Sequence, residues 1–470
     1  MSLIFWAESA RQAPASTVES ELAIVLPDYA NLFGAARSPE THPFSPISPP
    51  KSPVTPQPSS RTSNLITSPT LLLPTAPAHP IPNLPSNPAL SAARNALIDA
   101  TKALHALAVG PAETTRLFCS HEINFVGVMQ VLCHFRVPQC VPIDGEIGMK
   151  ELASRTGLSE KLLPRFLRMA AANYYFAETR PGVVAHTAFS RLLAEDERMR
   201  ACVWFRCVEM MPAVAKFVQA VERFPRDGGA VGVSQETAFE LAFGDTFFGY
   251  KEKHPEHMTK FGLFVDAFAG GSVDPAESVA RAYAWEKLPA GSLVVDIGGG
   301  IGHVSAAVAR EHGQLNFQIQ DFAGLAGESK MMMEKSGVSE RISFEPHSFF
   351  EPQPHASREA TVYFLRNIMH NWPDHDCRRI LKPLVEAMGP DSRIVICDIV
   401  LPEPNTILKT EEVHVRALDM IMLSMLNAKE RSYAEWQDLF ASVDPRLRIT
   451  TVVGKPKLQR DCLIEVRLVQ

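Results

Sequence analysis

The fold of this 470-residue chain is decided by one stretch, LVVDIGGGIGHVS, which runs from residue 293 to residue 305. Its first residues, Leu293 to Val295, are apolar without polar alternation, which is typical of a strand buried on both faces. Asp296 and four glycines end that run, and Val304 opens a pattern typical of a helix packed on a sheet. Glycine is needed where backbone lies against a ligand or adopts positive φ. The stretch therefore predicts a ligand-binding turn at the C-terminal end of a parallel strand.

The spacing of the glycines distinguishes between two kinds of ligand. A dinucleotide fingerprint needs a glycine at the sixth position of the turn, which is His303 when counted from Gly298. What remains is an acid and alternating glycines: Asp296, Gly298, Gly300 and Gly302. This pattern resembles motif I of class I methyltransferases that use S-adenosylmethionine (SAM), where the turn passes beside the amino-acid end of SAM and the acid helps hold its ammonium group. A strand-turn-helix without a ligand is the alternative.

Composition narrows the class of protein. The charged fraction of 21% and the hydrophobic fraction of 46% are those of a globular chain, and the net charge of −6 does not favour nucleic acid or an anionic membrane as a partner. We find no apolar run long enough to span a bilayer and no secretory signal. The cysteines are scattered without a C-x-x-C pair, which indicates reduced thiols rather than a zinc site or disulfide framework. We therefore expect a cytoplasmic protein of two or three domains.

The N-terminal part of the chain is not expected to supply a core. Residues 1–35 have modest helical character, and residues 36–89 are predicted to be a disordered Pro/Ser-rich linker or insertion. Repeated P-x-x-P spacings in this tract favour polyproline II, which buries little surface. A ligand for SH3-like modules and an insertion from an incorrectly assembled gene are the alternatives. We expect deletion of residues 36–88 to leave folding and activity intact.

Residues 90–200 are predicted to form a mainly helical domain, with Ser91 as the N-cap of its first helix. Residues 146–171 are typical of two helices joined by a glycine-containing turn, and residues 174–187 of a small hairpin, or wing. Such a winged helix can bind DNA through its second helix. The basic residues on that helix are Lys161, Arg165 and Arg168. The acidity of the chain and its larger α/β domain favour a structural or dimer-forming role instead.

The rest of the chain divides into a helical connector and an α/β domain. Residues 201–285 are rich in aromatic and Met side chains such as Phe205 and Phe247, which are usually core but could line a substrate pocket. Residues 286–470 alternate predicted strands with predicted helices, which is the pattern of a doubly wound sheet. Asp321 ends the second of these strands, where an acid can hydrogen-bond ribose hydroxyls.

Around residue 370 a resemblance to one family becomes specific. From about Leu90 to the C-terminus the chain resembles the plant caffeate-type and fungal O-methyltransferases, and above all fungal enzymes acting on phenolic polyketides and related secondary metabolites. Separate motifs occur in the right order: VVDIGGGIG from residue 294, QD from 320, FFEPQP from 349, LRNIMHNWPD from 365, IVLP from 399, LDMIML from 418 and KER from 429. The resemblance implies an α/β fold, with a C-terminal doubly wound Rossmann-like methyltransferase domain, an N-terminal mainly helical winged-helix dimerisation domain, and a homodimer.

The resemblance also implies a cofactor site and a catalytic site. The residues expected to bind SAM are Asp296, Gly298, Gly299, Gly300, Gly302, Asp321, Ser348, Phe349, Arg366 and Trp372. Within this set Asp321 would take the ribose hydroxyls and Phe349 would pack on adenine. His370 matches the family's general base, and Asp398 and Glu430 match the two acids that flank it. No metal is implied.

These residue types suit methyl transfer to a phenol. A phenol with a pKa near ~10 is mostly protonated at neutral pH, and an imidazole with a pKa near ~6.5 can accept the proton as the oxygen attacks. A carboxylate on the other ring nitrogen fixes the tautomer. We therefore predict a SAM-dependent O-methyltransferase acting on a phenolic hydroxyl of a polyketide-type metabolite. The alternatives are a non-catalytic SAM- or ligand-binding paralogue with a regulatory or scaffold role, and a DNA-binding regulator.

Two residues depart from the family pattern and motivate the non-catalytic alternative. Ser348 stands where the family usually has an acid on the adenine side of the cofactor, so we expect weaker SAM binding or a bridging water. Asn371 stands where an aspartate usually follows the histidine, and loss of that charge is expected to lower the pKa of His370 slightly.

Overall fold

The structure, a computed structural model, describes residues 88–223, 236–269, 275–454 and 462–469. The predictions for residues 1–35, and for the Pro/Ser-rich tract up to residue 87, lie outside these ranges. Among the described helices, none combines the length and apolar character needed to cross a membrane.

The described part of the chain opens with helices. Their bounds are α1 (Pro88–Leu117), a π-helical segment (Phe118–Glu122), α2 (Ile123–His134) and α3 (Val137–Cys140). A break in α1 lies at Gly110, whose φ of 73° is not helical. The N-cap prediction for Ser91 is wrong, because α1 already begins at Pro88, and proline suits a first helical turn.

The predicted wing is present and has a third strand. The elements are β1 (Glu146–Gly148), α4 (Met149–Thr156), α5 (Leu163–Ala171), β2 (Ala177–Arg180), β3 (Val183–Ala185) and α6 (Ala188–Glu195), with antiparallel order β1-β3-β2. Residues 146–148 are therefore a strand and not the start of a helix, because they pair with the wing. Arg168 donates to both carboxylate oxygens of Glu178 at 2.8 and 2.9 Å. This basic side chain is engaged by the wing, which weakens the DNA-binding alternative.

The connector is helical, as predicted. It comprises α7 (Glu197–Phe205), a π-helical segment (Arg206–Met210), α8 (Met211–Val214), α9 (Phe217–Val221), α10 (Ala238–Phe243), α11 (Phe247–Lys253) and α12 (Pro255–Ala269). Phe205, Phe239 and Phe247 are buried together against Met425 from a later helix. Most of the aromatic pattern is therefore core packing.

A seven-stranded sheet forms the α/β domain. Its elements are α13 (Pro275–Ala282), β4 (Leu293–Ile297), α14 (His303–Glu311), β5 (Asn316–Asp321), α15 (Ala326–Ser336), β6 (Ile342–Pro346), β7 (Val362–Arg366), α16 (Asp374–Ala387), β8 (Arg393–Asp398), β9 (Val400–Leu401), α17 (Lys409–Leu426), β10 (Arg431–Ser432), α18 (Tyr433–Val443), β11 (Leu447–Val453) and β12 (Cys462–Leu468). The strand order is β11-β12-β8-β7-β4-β5-β6. The five strands from β6 to β8 are parallel, and β12 and β11 extend that edge antiparallel. The predicted doubly wound fold is confirmed.

Alternation along the central strand β4 explains the two layers of helices. Val294 faces a core that contains residues of α13 and α14. Val295 and Ile297 face a second core, formed with residues of α16 and α18. Because successive strand residues point to opposite faces, the apolar residues of β4 supply both cores.

Helix α17 of the α/β domain contacts the first described helix, α1. The backbone N–H of Thr410 donates to Asp99 of α1 at 2.9 Å, and its hydroxyl donates to the same carboxylate at 3.1 Å. Asn95 of α1 donates to Glu411 at 3.1 Å. The same helix also packs against α8 and α10 of the connector.

Candidate active site

The predicted site residues lie at one edge of the sheet. They follow or end the parallel strands β4, β5, β6, β7 and β8, except Glu430, which immediately precedes β10. Parallel pairing of β10 with β9, at Arg431 and Val400, carries Glu430 to the same edge. The carboxyl ends of parallel strands are where doubly wound folds bind ligands.

The glycine turn after β4 uses each glycine differently. Gly298 and Gly302 have φ values of 67° and 90°. A Cβ on Gly298 would lie 2.5 Å from Cδ1 of Ile368, and one on Gly302 would overlap the side chain of Ile319. Gly300 also has positive φ, but a Cβ there would meet only open space. The turn is therefore packed at both ends and accessible at Gly300.

Asp296 lies beneath this turn and is only 2% exposed. Its carboxylate accepts a hydrogen bond of 2.6 Å from the hydroxyl of Ser305 in α14. Burial raises the pKa of Asp296 to about 6, although the Ser305 hydrogen bond and the charge of Arg366 act in the opposite direction. Gly299 is necessary here, because a Cβ would lie 2.6 Å from the Asp296 carboxyl carbon.

Asp321 closes the other side of the turn. Its Oδ2 accepts from the N–H of Gly300 at 2.7 Å, and its Oδ1 accepts from the N–H of Phe322 at 2.7 Å. Each carboxylate oxygen has a second lone pair that can accept a further donor. The adjacent Phe322 ring is 78% exposed, which is unusual for so large an apolar side chain. Phe322 was not selected from the sequence, since nothing local distinguishes an exposed aromatic residue from a buried one.

An aromatic cluster follows β6. The ring of Phe349 lies edge-on to Phe350 and to Trp372, with centroid distances of 4.9 and 5.9 Å. Ser348 is exposed, and its hydroxyl accepts from the N–H of Phe350 at 3.4 Å. Phe349 also lies beside Gly298, so the predicted adenine and methionine regions of the site adjoin each other.

His370 lies in a short 3-10 turn, Met369–Asn371, after β7. The turn is entered through Asn367, whose φ of 53° is tolerated by asparagine. The amide of Asn371 donates to the carbonyl of Asn367 at 2.8 Å. An aspartate could not donate this hydrogen bond, so the departure at position 371 has a structural role in the turn.

Two carboxylates flank the imidazole unequally. Glu430 is buried, and its Oε1 lies 3.0 Å from Nδ1 of His370, whose side chain is 15% exposed. Nε2 of His370 has no hydrogen-bond partner among the described residues. Asp398 is also buried, and neither of its carboxylate oxygens has a partner among those residues. Glu430 thus contacts the ring directly, while Asp398 affects the pKa of His370 through its charge.

These contacts set the protonation of the histidine. Burial lowers the pKa of His370, but Asp398 and the hydrogen bond and charge of Glu430 outweigh it, so the net shift is upward. Burial in turn raises the pKa of Asp398 to about 6, against the opposing charge of His370. The net upward shift of the His370 pKa is present with Asn371 in place.

Two residues that hold this arrangement were not selected from the sequence. The N–H of Glu430 donates to Asp419 of α17 at 2.9 Å. Arg431 is fully buried and donates to the carbonyls of Met369 and Trp372 at 3.0 and 2.9 Å. Both occur inside recognised motifs, but their contacts are with residues distant in sequence. Only the fold could reveal them.

The described residues contain no group of three or more His, Cys, Asp or Glu side chains arranged to hold a metal ion. No disulfide joins cysteines within the described ranges.

The sheet order and the glycine turn define a Rossmann-like methyltransferase domain, and comparisons with known proteins agree. The family model of the O-methyltransferase domain matches residues 227–443. The O-methyltransferase aoiF of Aspergillus oryzae is 33% identical over 371 residues, covering 78% of this chain and 86% of aoiF. The O-methyltransferase VdtC of Byssochlamys spectabilis is 33% identical over 384 residues, covering 80% of this chain and 87% of VdtC.

A solved structure shows the same fold. It is the O-methyltransferase NcsB1 from neocarzinostatin biosynthesis, in complex with S-adenosyl-L-homocysteine (SAH) and 1,4-dihydroxy-2-naphthoic acid. It has a TM-score of 0.59 and 22% identity, and the match covers 73% of this chain and 96% of NcsB1.

The chain belongs to the O-methyltransferase family. It is accordingly a SAM-dependent O-methyltransferase, and SAM is its cofactor. The resemblance found in the sequence is confirmed.

Proposed function

We propose that this enzyme methylates a phenolic hydroxyl of a polyketide-type fungal secondary metabolite, with His370 as the general base and without a metal. The observation that carries the proposal is the state of the imidazole. Its Nδ1 is held by Glu430 at 3.0 Å, while Nε2 has no partner in the described part of the chain. A ring fixed at one nitrogen and open at the other is the arrangement of a general base.

Each residue of the catalytic set then has a defined task. His370 accepts the proton of the phenol at Nε2 as the oxygen becomes nucleophilic. Glu430 holds the tautomer with the proton on Nδ1 and stabilises the imidazolium that forms. Asp398 makes no side-chain contact with the ring among the described hydrogen bonds, and its negative charge favours the same cation.

The residues around the glycine turn fit SAM. We assign the open side of Gly300 and the buried Asp296 to its amino-acid end, and Asp321 to its ribose. The exposed ring of Phe322 and the ring of Phe349 offer apolar surface to adenine. SAM supplies an already activated methyl group when bound. We also assign to the cofactor site Arg366, whose charge acts on Asp296, and Trp372, whose ring lies against Phe349. Ser348 offers a hydroxyl where an acid is usual.

The substrate class rests on the fungal relatives and on the bound naphthoate in NcsB1. We extend that aromatic substrate to this chain because its base suits a phenol, whose pKa near ~10 leaves it protonated at neutral pH.

The test is methyl transfer by wild-type enzyme and His370→Ala with 1,4-dihydroxy-2-naphthoic acid and related dihydroxynaphthalenes as acceptors. We expect His370→Ala to lose about 10²- to 10⁴-fold in kcat, while calorimetry shows unchanged SAH affinity. Equal turnover by the variant would refute the general-base role. Failure of folded wild-type protein to bind SAH would refute the cofactor assignment.

We also propose a homodimer joined through α1 and α2, and a cytoplasmic location. Large apolar side chains are exposed along this part of the chain, namely Leu97, Leu104, Leu107, Phe118 and Ile123. Exposed apolar patches of this kind mark protein–protein contacts. The location follows from the reduced cysteines that the composition indicates.

A further inference from the structure

We propose that Arg431 is the positioning residue of the histidine turn, and that its guanidinium sets where the imidazole of His370 points. This inference rests on the proposed function, in which His370 is the general base. Arg431 does not reach the reacting atoms, so it acts through the backbone that carries the base.

The guanidinium donates hydrogen bonds to the turn on both sides of His370. Its Nη1 donates to the carbonyl of Met369, the residue immediately before the histidine, at 3.0 Å. Its Nη2 donates to the carbonyl of Trp372, two residues after the histidine, at 2.9 Å. Two fixed carbonyls across so short a segment leave the Cα–Cβ direction of His370 little freedom.

The guanidinium is itself held firmly. Its Nε and Nη2 both donate to Oδ1 of Asp374, at 2.9 and 2.8 Å, and Nη2 contacts Sγ of Cys377 at 3.2 Å. Its carbon lies 5.3 Å from the centroid of the Trp436 ring. These contacts tie the turn to α16 and α18, which pack beneath the sheet. A planar group with donors in a fixed fork is required, and lysine lacks that geometry.

Glu430 and Arg431 contact different parts of His370 and its turn. Glu430 holds the imidazole ring at Nδ1, and the next residue, Arg431, holds the main chain that carries the ring. Pairing of β10 with β9 places Arg431 opposite Val400, and it thereby also fixes the position of the preceding residue, Glu430. The side chain and the backbone of the base are therefore positioned by two adjacent residues, Glu430 immediately before β10 and Arg431 at its first position.

The experiment compares Arg431→Lys with wild-type enzyme in steady-state kinetics, with 1,4-dihydroxy-2-naphthoic acid as the probe acceptor. We expect kcat to fall about 30- to 100-fold, because an effect of this size follows small misplacement of a catalytic group. The KM for the acceptor and the SAH affinity should stay within threefold of wild type. The acidic limb of the pH profile should not move, because lysine keeps the positive charge.

A matched control is Arg341→Lys. The guanidinium of Arg341 also binds carbonyls, those of Ala309 at 2.6 Å and Leu315 at 3.1 Å, but it lies at the opposite edge of the sheet. We expect that variant to lower the thermal midpoint and to leave kcat unchanged.

A second variant guards against misfolding of Arg431→Lys. Asp374→Asn weakens the anchor of the guanidinium while keeping its shape, and it should lower kcat about 3- to 10-fold with unchanged SAH binding. A kcat equal to that of the wild type in folded Arg431→Lys overturns the inference. If Arg431→Lys does not fold, the same result in Asp374→Asn overturns it. His370→Ala, measured in parallel, separates the general-base role of His370 from the positioning role of Arg431. If His370→Ala is active, the proposed function fails. If His370→Ala is inactive and Arg431→Lys is fully active, only the role of Arg431 fails.

Discussion

His370 is flanked by two carboxylates, and its ring forms a hydrogen bond with Glu430 but not with Asp398. The effects of the two acids on activity can therefore be measured separately. Glu430 fixes Nδ1 at 3.0 Å, whereas the buried oxygens of Asp398 have no partner among the described residues. Both charges favour the imidazolium. A protonated ring cannot accept a proton, so their combined effect moves the onset of activity to higher pH.

Glu430→Gln should separate orientation from charge. The variant removes a charge that raises the pKa of His370, so the acidic limb of the kcat–pH profile should move to lower pH. The plateau should fall about 10²-fold or more, because the tautomer is no longer enforced. The measurement is kcat between pH 5 and pH 9. Glu435→Gln, which changes an acid of α18 that pairs with Lys429, should leave the limb in place; an unmoved limb in Glu430→Gln would contradict the assignment.

Asp296→Asn should separate binding from stability. The folded pKa of Asp296 is raised to about 6, so the folded state favours the protonated acid and loses stability as pH rises from about 4 to about 6. The asparagine avoids that loss and can still accept from Ser305. We expect the ligand-free variant to be more stable at pH 8 by about 1–3 kcal/mol, with SAH affinity reduced tenfold or more. Thermal unfolding and calorimetry provide the test, and a less stable variant at pH 8 would refute it.

At the scale of the element, the structure of the turn between β4 and α14 distinguishes glycines that the sequence motif treats alike. Gly302→Ala introduces a methyl group into the side chain of Ile319 at a φ of 90°, which should cost about 2–4 kcal/mol. Gly300→Ala meets no atom, so it should cost only about 1 kcal/mol. Because Gly300 faces the open side of the turn, Gly300→Ala should lose more SAH affinity than Gly302→Ala, relative to the stability that each variant loses. Parallel losses in both variants would contradict this division.

Elements were predictable where one physical signal decided them. The strands β4, β7 and β8 are largely apolar runs between turn residues, and their positions follow from sequence because burial on both faces demands such runs. The N-cap prediction for Ser91 was wrong because the helix begins earlier, at Pro88, and proline suits the first turn of a helix. The strand at residues 146–148 was missed because its partner, β3, is supplied from far along the chain.

The motifs of the candidate site could be recognised in the sequence, but the contacts that support its residues could not. His370, Asp398 and Glu430 lie in motifs, and the fold brings all three to one edge of the sheet. Asp419 and Arg431 contribute through contacts with a backbone N–H and with carbonyl groups, and backbone groups carry no sequence signal. Phe322 depends on exposure, which local sequence does not encode.

At the scale of the whole molecule, the exposed apolar side chains of α1 and the π-helical segment after it predict a dimer. The double variant Leu107→Glu with Phe118→Glu places charges on side chains that are 77% and 70% exposed, so the fold should tolerate them while the contact should not. Light scattering at micromolar concentration should change from a dimer to a monomer. Val413→Glu, on an exposed apolar residue of α17, should remain a dimer; a monomeric wild-type protein would refute the proposal.

The hydrogen bonds between α17 and α1 bear on how such enzymes can be recombined. Helix α17 belongs to the catalytic half by sequence, yet it bonds to Asp99 and Asn95 and packs on the connector helices. A chimaera that exchanged residues 88–285 for those of a relative would therefore keep a mismatched helix at its centre. New acceptor selectivity should be transferable only when residues 409–426 travel with the N-terminal half, so the unit of exchange in this enzyme is discontinuous in sequence.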